Sequence, residues 1–420
     1  MVKPGGITML RVDLSGAIPG MRLAMPIHHP RRPGAVLLRA GFELDTPSIA
    51  KLRELRVHEA WIECPGVEFM ADFVSPSVQR ACHGVAGAIA SALAPASAGV
   101  DPVLDFRSYK RAVVSLLEKL AENRSAALFL GEIGRSGSVS LRHACNVALV
   151  SVLVGLKLDD YLIRERPKLS SYEARDVSNL GVGCLLHDVG MLRLDARTVD
   201  LWHRTGLEDD AALRAHVTLG HELVHAGVDP SAAAVVLHHH QKFDGTGFPT
   251  VVTPGPGRPL RGAEIHVFAR IAAAADLLDR LRHRREVGDD PDDRPVRPMV
   301  RSLAMLLREP YRSWIDPVVL RALLTVVPPY APGTRVTLSD GCEGVVIGWN
   351  PADPCRPTVA EIVAPRRVGT ARPHATNVHI DLSRNADLFI ARAEGHDVAE
   401  DNFTLPVEAN ASSLAGWLRL

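Results

Sequence analysis

The chain has few aromatic residues, 5% of its 420, and no excess charge of either sign: 48 Lys and Arg balance 48 Asp and Glu. That balance removes any global electrostatic case for a nucleic-acid polymer or a membrane surface as partner. The six cysteines (Cys64, Cys82, Cys145, Cys184, Cys342 and Cys355) are scattered without a C-x-x-C pair. This argues against a zinc ribbon or a disulfide framework and fits reduced thiols in a cytosolic protein. The opening residues MVKPGGITML lack the apolar core of a secretory signal. A weakly apolar run from Ala81 to Val100 is rich in Ala, Gly and Ser and contains His83 and Pro95. It falls short of the roughly 20 strongly apolar residues that a membrane span needs. The expected location is therefore the cytoplasm, with no membrane and no nucleic-acid polymer as partner. No solenoid repeat, receiver-like phosphorylation site or nucleotide-binding glycine loop stands out.

The composition, 46% hydrophobic and 23% charged, is that of a soluble globular protein, and the length fits two or three domains. From Met9 to Glu68, short runs such as MLRVDL, AVLLRAGFEL and EAWIEC read as strands, with one helical piece, SIAKLREL. From Asp105 to Leu324 the apolar spacing turns helical. After Val327, TRVTL and EGVVIGWN flank the turn signal Ser339-Asp340-Gly341, and TVAEIVAP, NVHIDL and DLFIAR continue as strands. The expected architecture is a small α+β N-terminal domain (1–72), an all-α central domain (73–327) and a β-rich C-terminal domain with a tail (328–420). The tail segment ASSLAGWLRL has the pattern of a closing helix. The acidic stretch Glu286 to Pro295 reads as a solvated loop.

The centre of the chain is rich in histidine. His187-Asp188 is followed by His216, by His239-His240 and by Asp276. Imidazole and carboxylate hold divalent first-row metals, and paired metals are the usual means of attacking phosphate esters. Val177, Leu180, Cys184 and Asp188 recur at helical spacing. His216 falls on a stripe with Leu213, Val217 and Gly220, and Asp276 on one with Ile265, Ala269 and Ala272. Buried His and Asp are costly without partners, and two divalent cations would partner all of them. Taken singly, a His on an apolar helix is more often a hydrogen-bonded core residue, and His203, His221, His225, His266 and His283 are read that way. The combination reads as a dinuclear metal phosphohydrolase core.

In order and spacing these motifs resemble the HD-GYP family of HD-domain phosphohydrolases, from about His143 to Arg285. The matching stretches are HDVG (His187 to Gly190), AHVTLG (Ala215 to Gly220), HHQKFDGTGFP (His239 to Pro249) and ARIAAAAD (Ala269 to Asp276). The resemblance implies an all-α catalytic domain that hydrolyses cyclic di-GMP to pGpG or GMP. By position it implies one metal on His143, His187, Asp188 and Asp276, and a second on His216, His239 and His240. Asp188 would bridge the two, with a shared hydroxide as nucleophile, so that His187 and Asp188 stand at the catalytic centre. Arg285, Gly247 and Phe248 would contact substrate. Trinuclear members of the family add a Glu where this chain has Val139, so two metals are expected. Iron or manganese suits the mixed imidazole and carboxylate ligation better than zinc.

Three departures bear on the substrate. The family's H-D-x-G-K ends here in Met191, which cannot carry a lysine's charge. Its G-Y-P becomes Gly247-Phe248-Pro249, and its R-P-Y-R is reduced to Arg285-Glu286-Val287-Gly288. Two rival readings therefore stand beside cyclic di-GMP hydrolysis. One is an HD-superfamily hydrolase acting on another nucleotide or phosphate ester; the other is a non-catalytic sensor that binds metal or ligand. Partners beyond the substrate are open, with a homodimer through an exposed helix of the 105–160 region as one candidate.

Overall fold

Capping residues and apolar stripes set the helices that build the middle of this chain. The computed structural model describes residues 9–14, 17–29, 36–55, 57, 59–64, 75–90, 92, 103–122, 139–205, 208, 210–251, 257–283, 296–363 and 374–405. The N-terminal part pairs β1 (Met9–Asp13) antiparallel with β4 (Glu59–Glu63), and β2 (Ile27–His28) with β3 (Val36–Leu38). Helix α1 (Thr46–Glu54) opens on a capping box between Asp45 and Ser48, with Pro47 in its first turn.

The helical part runs from α2 (Pro76–Ala90) and α3 (Phe106–Glu122) to α4 (Val139–Lys157), α5 (Asp159–Glu165), α6 (Ser171–Ala174) and α7 (Ser178–Leu186). It continues through α8 (Ala196–Thr205), α9 (Ala211–Arg214), α10 (His216–Val224), α11 (Pro230–His238) and α12 (Val267–His283). Helices α13 (Met299–Leu306), α14 (Tyr311–Trp314) and α15 (Pro317–Val326) close it. Helix α4 lies at the middle, packed against α2, α7, α12 and α15. Burial on several sides explains its nearly continuous apolar sequence. Among the described residues it is the helix long and apolar enough to cross a membrane, by length and composition only, and most of it is buried within the protein. Helices α4, α7, α11 and α12 share one large core with Val147, Leu180, Val235 and Phe268 at its heart.

Beside that core lies a buried polar knot. Asp316 caps α15 through the amide of Val318, accepts from Tyr161 Oη at 2.6 Å, and meets Arg270 Nη1 at 2.7 Å. Arg270 also pairs with Glu165 and donates its Nε to the carbonyl of Ile265 at 3.0 Å. This knot ties α12, which carries Asp276, to α5 and α15.

The C-terminal part is a six-stranded antiparallel sheet in the order β10-β9-β5-β6-β7-β8. Its strands are β5 (Arg335–Leu338), β6 (Glu343–Gly348), β7 (Thr358–Val363), β8 (His374–Asp381), β9 (Ile390–Ala393) and β10 (His396–Asp397). The Ser339-Asp340-Gly341 signal forms the β5–β6 turn: Asp340 Oδ1 accepts from the Cys342 amide, and Gly341 has φ 88°. The architecture is thus multidomain, a helical unit followed by an antiparallel sheet. Periodicity did not reveal that the N-terminal strands and this sheet share a core. Val12, Leu23, Leu44 and Ile62 pack in one cluster with Val345, Ala360 and Ile362. The tail from 406, the acidic stretch Glu286 to Pro295 and the second half of LLEKLAENRSAALFL lie outside the described residues.

Replacing Arg270 with Leu leaves the Asp316 carboxylate buried without its cation. The expected loss is about 3–5 kcal/mol, read from the midpoint of urea unfolding. A loss below about 1 kcal/mol would mean that the capping amides and Tyr161 satisfy Asp316 by themselves.

Candidate metal centre

The candidate ligands converge from helix ends. His187 follows α7 and Asp188 begins a short 3-10 turn; His216 opens α10; His239 and His240 follow α11. His143 and Asp276 come from within α4 and α12. The close approach that joins the HD turn to α10 depends on Gly190. A Cβ there would lie 1.9 Å from the carbonyl oxygen of His216 and 2.5 Å from the Gly220 nitrogen. The glycines of HDVG and AHVTLG therefore bring His187-Asp188 against His216.

Backbone carbonyls aim three of the imidazoles. The Nδ1–H of His187 donates to the Cys184 carbonyl at 2.7 Å, that of His216 to Leu213 at 2.6 Å, and that of His239 to Val236 at 3.0 Å. Each Nε2 is then an unprotonated lone pair facing inward. His143 is aimed by a carboxylate instead, with Nδ1 2.7 Å from Asp279 Oδ2. Asp279 also accepts from Asn146 Nδ2 at 2.8 Å and pairs with His283 at 3.4 Å.

The inward nitrogens form two pairs: His143 and His187 Nε2 are 3.1 Å apart, and His216 and His239 Nε2 are 3.3 Å apart. Asp188 lies between the pairs. Its Oδ2 is 3.6 Å from His143 and 3.4 Å from His187, while its Oδ1 is 3.5 Å from His216 and 3.6 Å from His239. Asp276 Oδ1 joins the first group, 3.2 Å from His143 Nε2. His240 belongs with Asp188, His216 and His239, whose candidate donor atoms all lie within 4.8 Å of one another. Facing lone pairs repel unless a cation or proton lies between them, so this donor set fits divalent metal.

The electrostatics agree with that fit. Burial pushes His216 and His239 down to about 4, leaving them neutral as ligands must be. Burial opposes the charge of Asp188, but the surrounding imidazoles of His187, His239, His216 and His143 hold it well below the usual carboxylate range. At His143, burial disfavours the cation, yet hydrogen bonds to Asp276 and Asp279 raise it well above its ordinary value. The carboxylates there favour a positive charge, whether from a proton or a metal.

The remaining candidates are placed differently. A Cβ on Gly247 would lie 2.3 Å from the His240 carbonyl oxygen and 2.4 Å from the Lys242 nitrogen, so this glycine lets the loop fold onto the HH segment. Phe248 is buried and stacks on His240, with centroids 4.5 Å apart and planes at 18°. It forms a wall behind that imidazole. Arg285 lies outside the described residues. His221 stacks on His225 and His283 bonds Asp279.

Sequence reasoning missed Asp279, Glu208 and Arg280. Asp279 sits three residues after Asp276, a helical spacing that marked it as a neighbour of the same face. Glu208 had no such signal.

Comparison with known proteins adds to this geometry. The HD domain model matches residues 140–281, and a KOW domain associated with HD domains matches 335–398. A cyclic di-GMP phosphodiesterase of Pseudomonas aeruginosa, PA4108, is 24% identical over 341 residues, 74% of each chain. The chain therefore contains an HD domain and is similar to cyclic dinucleotide phosphodiesterases. A second relative, the 3'3'-cGAMP-specific phosphodiesterase 3 of Vibrio cholerae, is 31% identical over 144 residues, 33% of this chain and 27% of the relative. A solved HDG"Y"P protein of Bdellovibrio bacteriovorus, Bd1817, aligns with 75% of this chain and 98% of its own, at 14% identity and a TM-score of 0.41. With that domain and these relatives, the chain is an HD-domain, metal-dependent phosphohydrolase.

Asp279→Asn keeps the shape but removes the charge that orients His143. It is expected to lower metal affinity about 10–100-fold, measured by competition with a chelating indicator. Unchanged affinity would show that Asn146 and the helix backbone orient His143 well enough without the charge.

Proposed function

We propose that this HD-domain protein hydrolyses a cyclic dinucleotide, cyclic di-GMP before others, to pGpG or GMP, using two divalent cations, iron or manganese. The observation that carries the proposal is the position of Asp188, with one oxygen toward His143 and His187 and the other toward His216 and His239. A carboxylate so placed suits a bridge between two cations. His143, His187 and Asp276 would hold the first, and His216, His239 and His240 the second. When bound, such a pair supplies Lewis acidity to a phosphoryl group and an ionised water near neutral pH. The likeness to PA4108 and to the cGAMP phosphodiesterase supports a cyclic dinucleotide as substrate.

The chain's own residues would do the rest. The carbonyls of Cys184, Leu213 and Val236 keep the imidazoles in one tautomer, so no reorganisation precedes the reaction. Buried Phe248 and the apolar residues behind His187 exclude bulk water from the back of the centre. Arg285 is taken as a contact to substrate phosphate, and the loop at Gly247 as part of the substrate wall. The proposed setting is the cytoplasm. A phosphate ester other than cyclic di-GMP is the second reading, favoured by Met191, which stands where H-D-x-G-K has its lysine.

The deciding experiment is chromatographic product analysis of manganese- or iron-loaded protein incubated with cyclic di-GMP, beside a variant carrying His187→Ala and Asp188→Ala. Product from the intact protein alone is expected, with metal lost from the variant. Turnover that persists in the variant would move the active site elsewhere. Absence of product from metal-loaded protein would favour another ester or a sensor. Met191→Lys is expected to raise kcat/KM for cyclic di-GMP about tenfold, the size of one charge-assisted contact; no change would point to a substrate that does not use that contact.

A further inference from the structure

Beside the ligand cluster, the candidate ligand His240 and two cations with no assigned role, Arg280 and Lys242, meet at one carboxylate. Glu208, between α8 and α9, places Oε1 2.5 Å from Arg280 Nη1 and 3.4 Å from His240 Nδ1. Its Oε2 is 3.3 Å from Lys242 Nζ. Arg280 stands one helical turn after Asp276 and reaches back to it, Nη2 to Oδ2 at 2.8 Å. The guanidinium therefore spans from a candidate ligand of the first cation to a carboxylate that touches a candidate ligand of the second. Trp202 lies under the Arg280 guanidinium at 5.4 Å, and Trp314 under Lys242 Nζ at 3.4 Å. The side chains of Arg280, Lys242 and Glu208 retain 23%, 17% and 15% exposure, so the cluster lies at the rim where a solute can reach it.

We propose that Arg280 and Lys242 form a phosphate-binding subsite beside the metal centre, and that the Glu208 carboxylate occupies it as an internal competitor. The argument is chemical. One guanidinium nitrogen, Arg280 Nη1, and the Lys242 ammonium, each directed at a different Glu208 oxygen, present donors that two non-bridging phosphate oxygens accept from. Both cations are held over indole rings, which helps fix their direction while leaving Arg280 Nη1 and Lys242 Nζ turned to Glu208. Glu208 is paired through both of its oxygens, with Arg280, His240 and Lys242 all within 3.4 Å. It can leave only in exchange for another anion. The subsite supplies the positive charge that Met191 does not, and it rests on the reading of the centre as one that accepts phosphate esters.

The test is equilibrium binding of inorganic phosphate to the full-length, metal-loaded protein by isothermal titration calorimetry, with metal content measured alongside. Glu208→Gln keeps the shape, removes the competing charge, and is expected to tighten phosphate binding about tenfold. KM for bis(p-nitrophenyl) phosphate should fall with it, while kcat changes little. Adding Lys242→Gln should return phosphate affinity toward that of the unmodified protein, and Lys242→Gln alone should weaken it. Unchanged or weaker phosphate binding in Glu208→Gln with full metal content would overturn the subsite. So would loss of metal in that variant, which would make Glu208 a support for His240 instead. Should Glu208→Gln not fold, unaltered phosphate affinity in Lys242→Gln would overturn it equally. Tighter phosphate binding in a protein that cleaves no ester would keep the subsite and reject the phosphodiesterase reading. Ester cleavage with phosphate binding unaltered would do the reverse.

Discussion

A single carboxylate, Asp188, stands among four inward-facing imidazoles in a helical core, and the rest of the centre is organised around that fact. Each of its oxygens faces a different pair of histidines at 3.4–3.6 Å. The buried nitrogen lone pairs of His216 and His239, 3.3 Å apart, are unfavourable neighbours without positive charge between them, and Asp276 and Asp279 draw positive charge to His143 beside His187. The fold therefore holds open an arrangement that is costly empty and satisfied by cations. That cost is borne by the surrounding helices, whose apolar packing around α4 is extensive enough to keep the histidines from moving apart.

Around the ligands runs a second layer that settles their direction. Three histidines are fixed by carbonyls three residues earlier, a contact that a helix end offers because its last carbonyls lack intrahelical donors. His143, inside a helix, has no such carbonyl and relies on Asp279. Helix position thus explains why one of the four needs a carboxylate and the other three do not. Further out, the Arg270 knot fixes α12, so that Asp276, Asp279 and Arg280 arrive together on one helix.

The outer parts of the chain are joined more closely than their order suggests. The N-terminal strands and the C-terminal sheet bury Val12, Leu23, Val345 and Ala360 in one cluster, although about 300 residues separate their sequences. Phe403, near the end of the described chain, packs against both the helical core and the sheet core and links the two.

Much of this was legible in the residues themselves. The helical middle, the strands after Val327 and the turn at Asp340 followed from periodicity and turn chemistry, because these signals are local. The candidate ligands were legible because imidazole and carboxylate announce their chemistry, and their order along the chain matches a family pattern. The helix-end positions of Asp188, His239 and His240 were less clear, since periodicity continues past the residue where a helix stops. By itself the sequence determined which donor atoms the protein owns and in what order they occur. Only the tertiary structure decided which oxygen of Asp188 faces which histidines, and that Glu208 meets Arg280 from 72 positions away. The reason is physical: a side chain's chemistry is carried by the residue alone, whereas its partners depend on how distant helices pack, which no local pattern encodes.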